Sequence, residues 1–194
     1  MAFGSNRRGA VPLRMQLHAR IGQARINLLI VFILTVLNII FAAFGSGTYF
    51  LFSASVPYFI ALLGAMMCGL LPPEYYAEAG ALPGEFLPKG MIVGFLLIAV
   101  GIAAIYLLAF LLSKKHTAFL LVSFILFIID TAAMFLIYNF TVDMLIDLAI
   151  HAWVLVELFL GVRAVGRLKQ LPADFPDDGI PFVNPVSPDD NDQV

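Results

Sequence analysis

Five long apolar runs divide the chain: Ile26 to Phe44, Tyr49 to Leu71, Met91 to Leu112, Ala118 to Tyr138, and Val142 to Val162 with a helical continuation to about 165. Each approaches the ~20 residues needed to span ~30 Å of hydrocarbon at 1.5 Å per residue. Lipid offers the backbone no hydrogen-bond partner, and a helix pairs its own N–H and C=O groups within one segment. The pattern therefore predicts an all-α integral membrane protein. The second run differs from the others: Ser53, Ser55 and Pro57 in YFLFSASVPYF interrupt its first third, and proline has no N–H to donate. It reads as re-entrant or kinked.

The basic residues decide between these readings, because cytoplasmic flanks retain Lys and Arg. Three clusters stand out: Arg7, Arg8, Arg14, Arg20 and Arg25; Lys114 and Lys115; Arg163, Arg167 and Lys169. If the second run dips in and returns, ten of the eleven basic residues share one side and only Lys89 lies opposite. The expectation is four transmembrane helices plus one re-entrant segment, with both termini in the cytoplasm of a bacterial-type cell. The alternative is five crossings with the N-terminus outside, which misplaces the five N-terminal arginines. The first run follows a basic stretch without a small-x-small cleavage pattern, so it reads as a retained anchor.

The flanks complete a three-part organisation. Residues 1–25 form a basic cytoplasmic segment in which Leu13, Leu17 and Ile21 recur four apart. This suits an amphipathic helix lying on anionic lipid, with a plain charged flank as the alternative. Residues 26–169 form the membrane domain, and the connection Pro72 to Gly90 carries prolines, glutamates and the interfacial aromatics Tyr75, Tyr76 and Phe86. Residues 170–194 are proline-rich and acidic, with little to bury, and are expected to be a disordered tail.

Composition excludes several classes. At 61% hydrophobic and 12% charged, the chain is far from the balance of a water-soluble domain. The formal net charge of -2 and the absence of a basic stripe leave no nucleic-acid footprint. The single cysteine, Cys68, precludes an internal disulfide or a Cys-rich metal site. Gly94, Gly101, Ala103 and Ala104 are small enough to allow close helix approach in the third run.

Polar side chains in hydrocarbon are costly, which singles out Asn38, Asp130, Asp147, His151 and Glu157. The last two runs are joined by a very short turn near Phe140, so they pack antiparallel. Asp130 lies ten residues before that turn and His151 eleven after, which sets both roughly 15 Å from it. Asp147 is one helical turn from His151 on the same face. Asn38 lies at the same depth in the first run, and Glu157 sits beyond His151 as a secondary candidate. A carboxylate beside a histidine suits proton coupling or cation ligation. Equally, intramembrane hydrogen bonds fix helix register, at roughly 0.6 to 2 kcal/mol each. Metal binding is left open, although Asp147 and His151 lack the glutamate base of a metalloprotease helix. No cofactor is expected.

The stretches RINLLIVFILTVLNII, SGTYFLFSASVPYF, LLSKKHTAFLLVSFILFIIDT and HAWVLVELFLGVRAVGRLK resemble a group of small, uncharacterised bacterial polytopic membrane proteins. The resemblance spans Arg20 to Lys169; it implies a helical membrane fold and brings no named activity. GxSxG, HExxH and phosphate-gripping glycine loops are all missing, so an enzyme is not the expectation. The preferred reading is a non-enzymatic accessory or scaffold component. Its partners would be the bilayer, a protein held through the basic segment or the acidic tail, or further copies of itself. The alternatives are a small oligomeric proton- or cation-coupled transporter or channel using Asp130 and His151, and a membrane-embedded hydrolase.

Overall fold

The computed structural model describes residues 12–46, 48–78, 86–137 and 142–172. Its helices are α1 (Leu13–Ala43), α2 (Ser55–Met67), α3 (Pro73–Glu78), α4 (Ile92–Lys115), α5 (Ala118–Ile137) and α6 (Val142–Gln170), with a 3-10 turn at Lys89–Met91 before α4. The fold is all-α, and four helices, α1, α4, α5 and α6, are long and apolar enough to cross a membrane. Their outward faces carry Leu97, Leu108, Ile129, Leu136 and Val156, all exposed. Such a surface is a liability in water and the natural boundary of a protein in lipid.

Helix α1 is the central post, lying along α6 and α4 and against α2. It begins at Leu13, with Pro12 supplying the first acceptor, to Gln16 N–H at 3.1 Å. Leu17, Ile21, Ala24 and Leu28 recur at three- and four-residue spacing and are buried. From Leu13 onward the basic stretch is therefore not a separate surface helix. It is the opening of α1 itself, because its apolar stripe continues the stripe of the membrane run and packs on α6. At Gly161 an added Cβ would lie 2.4 Å from the Cβ of Ala24, so the two backbones approach as closely as glycine permits. The close contacts involving α4 use Ala99 and Ala103, whereas Gly94 and Gly101 are exposed and meet nothing within 4 Å. The expectation that those two glycines mediate packing is corrected on this point: they fall on the outward face.

Arg14 donates to the carbonyl of Pro172, and Arg25 to the carbonyl of Ser113. The start of α1 and the ends of α4 and α6 thus share one end of the bundle, as an even number of crossings requires. Residues 1–11, the α5–α6 turn at 138–141 and the acidic tail from 173 onward lie outside the described residues, and so do the sequence expectations attached to them.

The second apolar run doubles back on itself. After α1, the chain turns at Gly45, whose φ of +71° suits glycine, and runs without helical structure back along α1. Helix α2 then rises beside α1 and antiparallel to α4, with Val56 near Tyr106 and Gly64 against Phe95. Its 13 residues cover only ~20 Å, short of the hydrocarbon thickness. An added Cβ on Gly45 would meet the Leu70 carbonyl at 2.3 Å, so the segment leaves the bundle beside the point where it entered.

Candidate functional site

Ending a helix inside a bundle exposes the N–H groups of its first turn, which have no partner within the helix. In α2 these belong to Ala54, Ser55, Val56 and position 57. The Thr35 hydroxyl accepts the Ala54 N–H at 2.8 Å. Asp130 accepts the Ser55 N–H at 2.8 Å through Oδ2 and the Val56 N–H at 2.9 Å through Oδ1. Position 57 is proline and has no N–H. The four positions are accounted for completely, and Pro57, read from sequence as an interruption, proves to be the third residue of a helix that starts at Ser55. The Asp130 carboxylate also faces the positive end of the α2 dipole.

Asn38 does the same work for the descending strand of chain. Its Oδ1 accepts the Phe50 N–H at 2.6 Å, and its Nδ2 donates to the Phe50 carbonyl and to Ser53 Oγ, both at 2.8 Å. Asn38 and Thr35 are fully buried. Between these clamps the chain reverses at Phe52, a non-glycine residue with φ of 73°. The Phe52 ring meets Trp153 edge-on, with centroids 5.1 Å apart.

His151 joins Asp130 from α6, as the shared depth of the two residues predicts. Its Nε2 lies 3.5 Å from Asp130 Oδ2 and 3.2 Å from Ser55 Oγ, and its ring stacks on Phe127 at 5.0 Å. Nδ1 faces the Asp147 carbonyl at 3.0 Å. A carbonyl only accepts, so Nδ1 carries a proton. In the neutral ring Nε2 then accepts from the Ser55 hydroxyl; in the charged ring it donates toward Asp130. Asp130 and His151 are 3% and 2% exposed, so almost none of either side chain meets the surface.

Asp147 reaches the histidine through its backbone carbonyl, while its carboxylate accepts from the Tyr49 hydroxyl at 3.1 Å. Tyr49 stacks on Tyr58, with centroids 5.5 Å apart. Glu157 lies further along α6, half-buried and apart from the cluster, with no ion pair among the described residues. Asn38 is bound to the descending segment rather than to Asp130. Of the five sequence candidates, two are in direct contact, two brace the same re-entrant segment, and one stands aside. From sequence Ser53 and Ser55 mark only an interruption of the second run, and Thr35 carries no signal. Ser55 with Pro57 two residues on is a helix-start signal, but an apolar run on either side masked it.

The chemistry open to this arrangement is limited. Ser55 Oγ beside His151 Nε2 has the outline of a nucleophile and its base. The backbone N–H groups that could hold an oxyanion are those of Ser55 and Val56, and both are bonded to Asp130. Among the described residues no three His, Cys, Asp or Glu side chains converge as metal ligands would. A groove of about 110 Å³, lined by Ile102, Ile105, Tyr106, Leu126 and Ile129, runs between α4 and α5 to Val56 and Asp130. No family model, curated protein or solved structure matches the chain.

Proposed function

We propose that this chain is a non-enzymatic scaffold or accessory component of a membrane assembly, whose buried polar residues hold a re-entrant segment in a fixed shape. One observation carries the reading: both oxygens of Asp130, the most buried acid among the described residues, accept backbone N–H groups from the first turn of α2. In lipid each of those N–H groups would otherwise cost several kcal/mol, so the carboxylate has a structural task. The bundle sits in a bacterial cytoplasmic membrane with its arginine- and lysine-rich end, and both chain termini, facing the cytoplasm. Supporting this, Arg25, Lys114, Arg163 and Arg167 lie at one end while Lys89 opens the 3-10 turn before α4 at the other.

The experiment pairs native electrophoresis of the cell membrane with flux in liposomes. The scaffold reading predicts that the protein migrates within a larger complex, that Asp130→Asn dissolves the complex by unfolding α2, and that reconstituted protein moves protons no faster than empty vesicles. Proton flux that disappears in Asp130→Asn while the fold survives contradicts it. That outcome would favour a proton-coupled transporter, a second reading supported by the groove that reaches Asp130 and by the helix broken at mid-depth.

A further inference from the structure

We propose that the cleft between α1 and α6 at the arginine-rich end is a binding site for the headgroup phosphate of an anionic glycerophospholipid. The cleft encloses about 210 Å³ and is lined by Arg20, Arg163 and Arg167 together with Leu13, Leu17 and Leu160. It is distinct from the buried polar cluster and does not depend on the role given to Asp130.

Three features specify an anion with an apolar tail. First, three guanidinium groups from two helices line one cleft, and among the described residues none of them forms an ion pair with a carboxylate. Guanidinium groups grip phosphate through paired, planar N–H donors, so a phosphodiester offsets a local repulsion that no described carboxylate neutralises there. Second, the depth is right. Arg20 precedes the apolar run that starts at Ile26, and Arg163 directly follows the one that ends at Val162, which places the cleft at the level of lipid headgroups. Third, part of its lining is apolar: Leu17 is buried, and Leu13, Leu160 and Ala164 stand beside it. A free phosphate has no use for that wall, whereas the glycerol and first acyl carbons of a lipid cover it. At about 30 Å³ per water, the volume holds a phosphate and the adjoining glycerol.

The test titrates full-length protein in neutral detergent with phosphatidylglycerol, phosphatidylcholine or inorganic phosphate, reading bound lipid by native mass spectrometry. Phosphatidylglycerol is expected to bind in preference to phosphatidylcholine. Each of Arg20→Gln, Arg163→Gln and Arg167→Gln should weaken it about fivefold, and the triple variant roughly a hundredfold. Lys114→Gln with Lys115→Gln, at the same end but outside the cleft, should bind as the wild type does. Circular dichroism confirms that each variant is folded, and the single variants carry the test if the triple one is not. Equal binding of phosphatidylcholine, undiminished affinity in folded arginine variants, or competition by millimolar inorganic phosphate alone would overturn the proposal. So would a wild type that takes up no phosphatidylglycerol beside a folded variant, with Asp174, Asp177 and Asp178 replaced by Asn, that does, since the occupant would then be the chain's own acidic tail.

Discussion

Asp130 Oδ2, on α5, accepts the backbone N–H of Ser55 at 2.8 Å and so caps a helix that begins 75 residues earlier in the chain. A helix end at mid-depth in a membrane protein needs such a partner, and the carboxylate supplies two acceptors and a charge of the right sign.

Replacing Asp130 should therefore cost more than replacing its neighbour. Asn has one acceptor where two are needed, and its NH₂ would oppose the second backbone donor, so Asp130→Asn should lose about 3 kcal/mol. His151→Gln removes one hydroxyl contact and a stacked ring and should lose about 1 kcal/mol. Equilibrium unfolding in mixed micelles checks the order; a larger loss at His151 would contradict it.

The descending segment makes its own demand on Asn38, which uses its acceptor and its donors together. Asn38→Asp keeps the acceptor and places a charged oxygen against the Phe50 carbonyl. It should cost at least about 2 kcal/mol, although the two side chains are nearly the same size. Thr35→Val, which removes the acceptor for Ala54 and the donor to the Val31 carbonyl, should cost about 1 kcal/mol. The same unfolding assay ranks the pair.

These clamps were only partly legible in the sequence. The four helices long and apolar enough to cross followed from run length, and their gathering of basic residues at one end from where Arg and Lys fall. The meeting of Asp130 with His151 followed from a short connection between two helices, because depth can be counted in residues. The link from Asp130 to Ser55 could not be counted. It depends on which face of α5 turns toward α2, and that is decided by packing among apolar side chains with no distinguishing spacing. The start of α1 was missed for a related reason. Five arginines within the first 25 residues suggested an interfacial flank, whereas burial of Leu17 and Ile21 against α6 lets the helix continue through it.

Phe52 tests whether the reversal is strained. Its φ of 73° is one that glycine adopts freely and phenylalanine does not. Phe52→Ala loses the contact with Trp153 and keeps the strain; Phe52→Gly loses the contact and releases it. Gly should be the more stable of the two by about 1 kcal/mol, the reverse of the usual order. Thermal melts of the two variants decide it.

Gly161 marks the tightest approach of α1 and α6. Gly161→Val forces the helices apart at Ala24 and should destabilise the bundle by about 1 to 3 kcal/mol. Pairing it with Ala24→Gly should recover part of the loss, as a double-mutant cycle can measure.

The path of the second apolar run is open to one direct measurement. In a Cys68→Ala background, Thr48→Cys and Glu74→Cys flank the run, while His116→Cys reports the opposite end of the bundle. An impermeant maleimide applied to right-side-out vesicles should label positions 48 and 74 alike and leave 116 unlabelled until the membrane is opened. Labelling of 48 and 74 from opposite sides would mean that the run crosses the membrane, and the cap built by Asp130 would then have no helix end to hold.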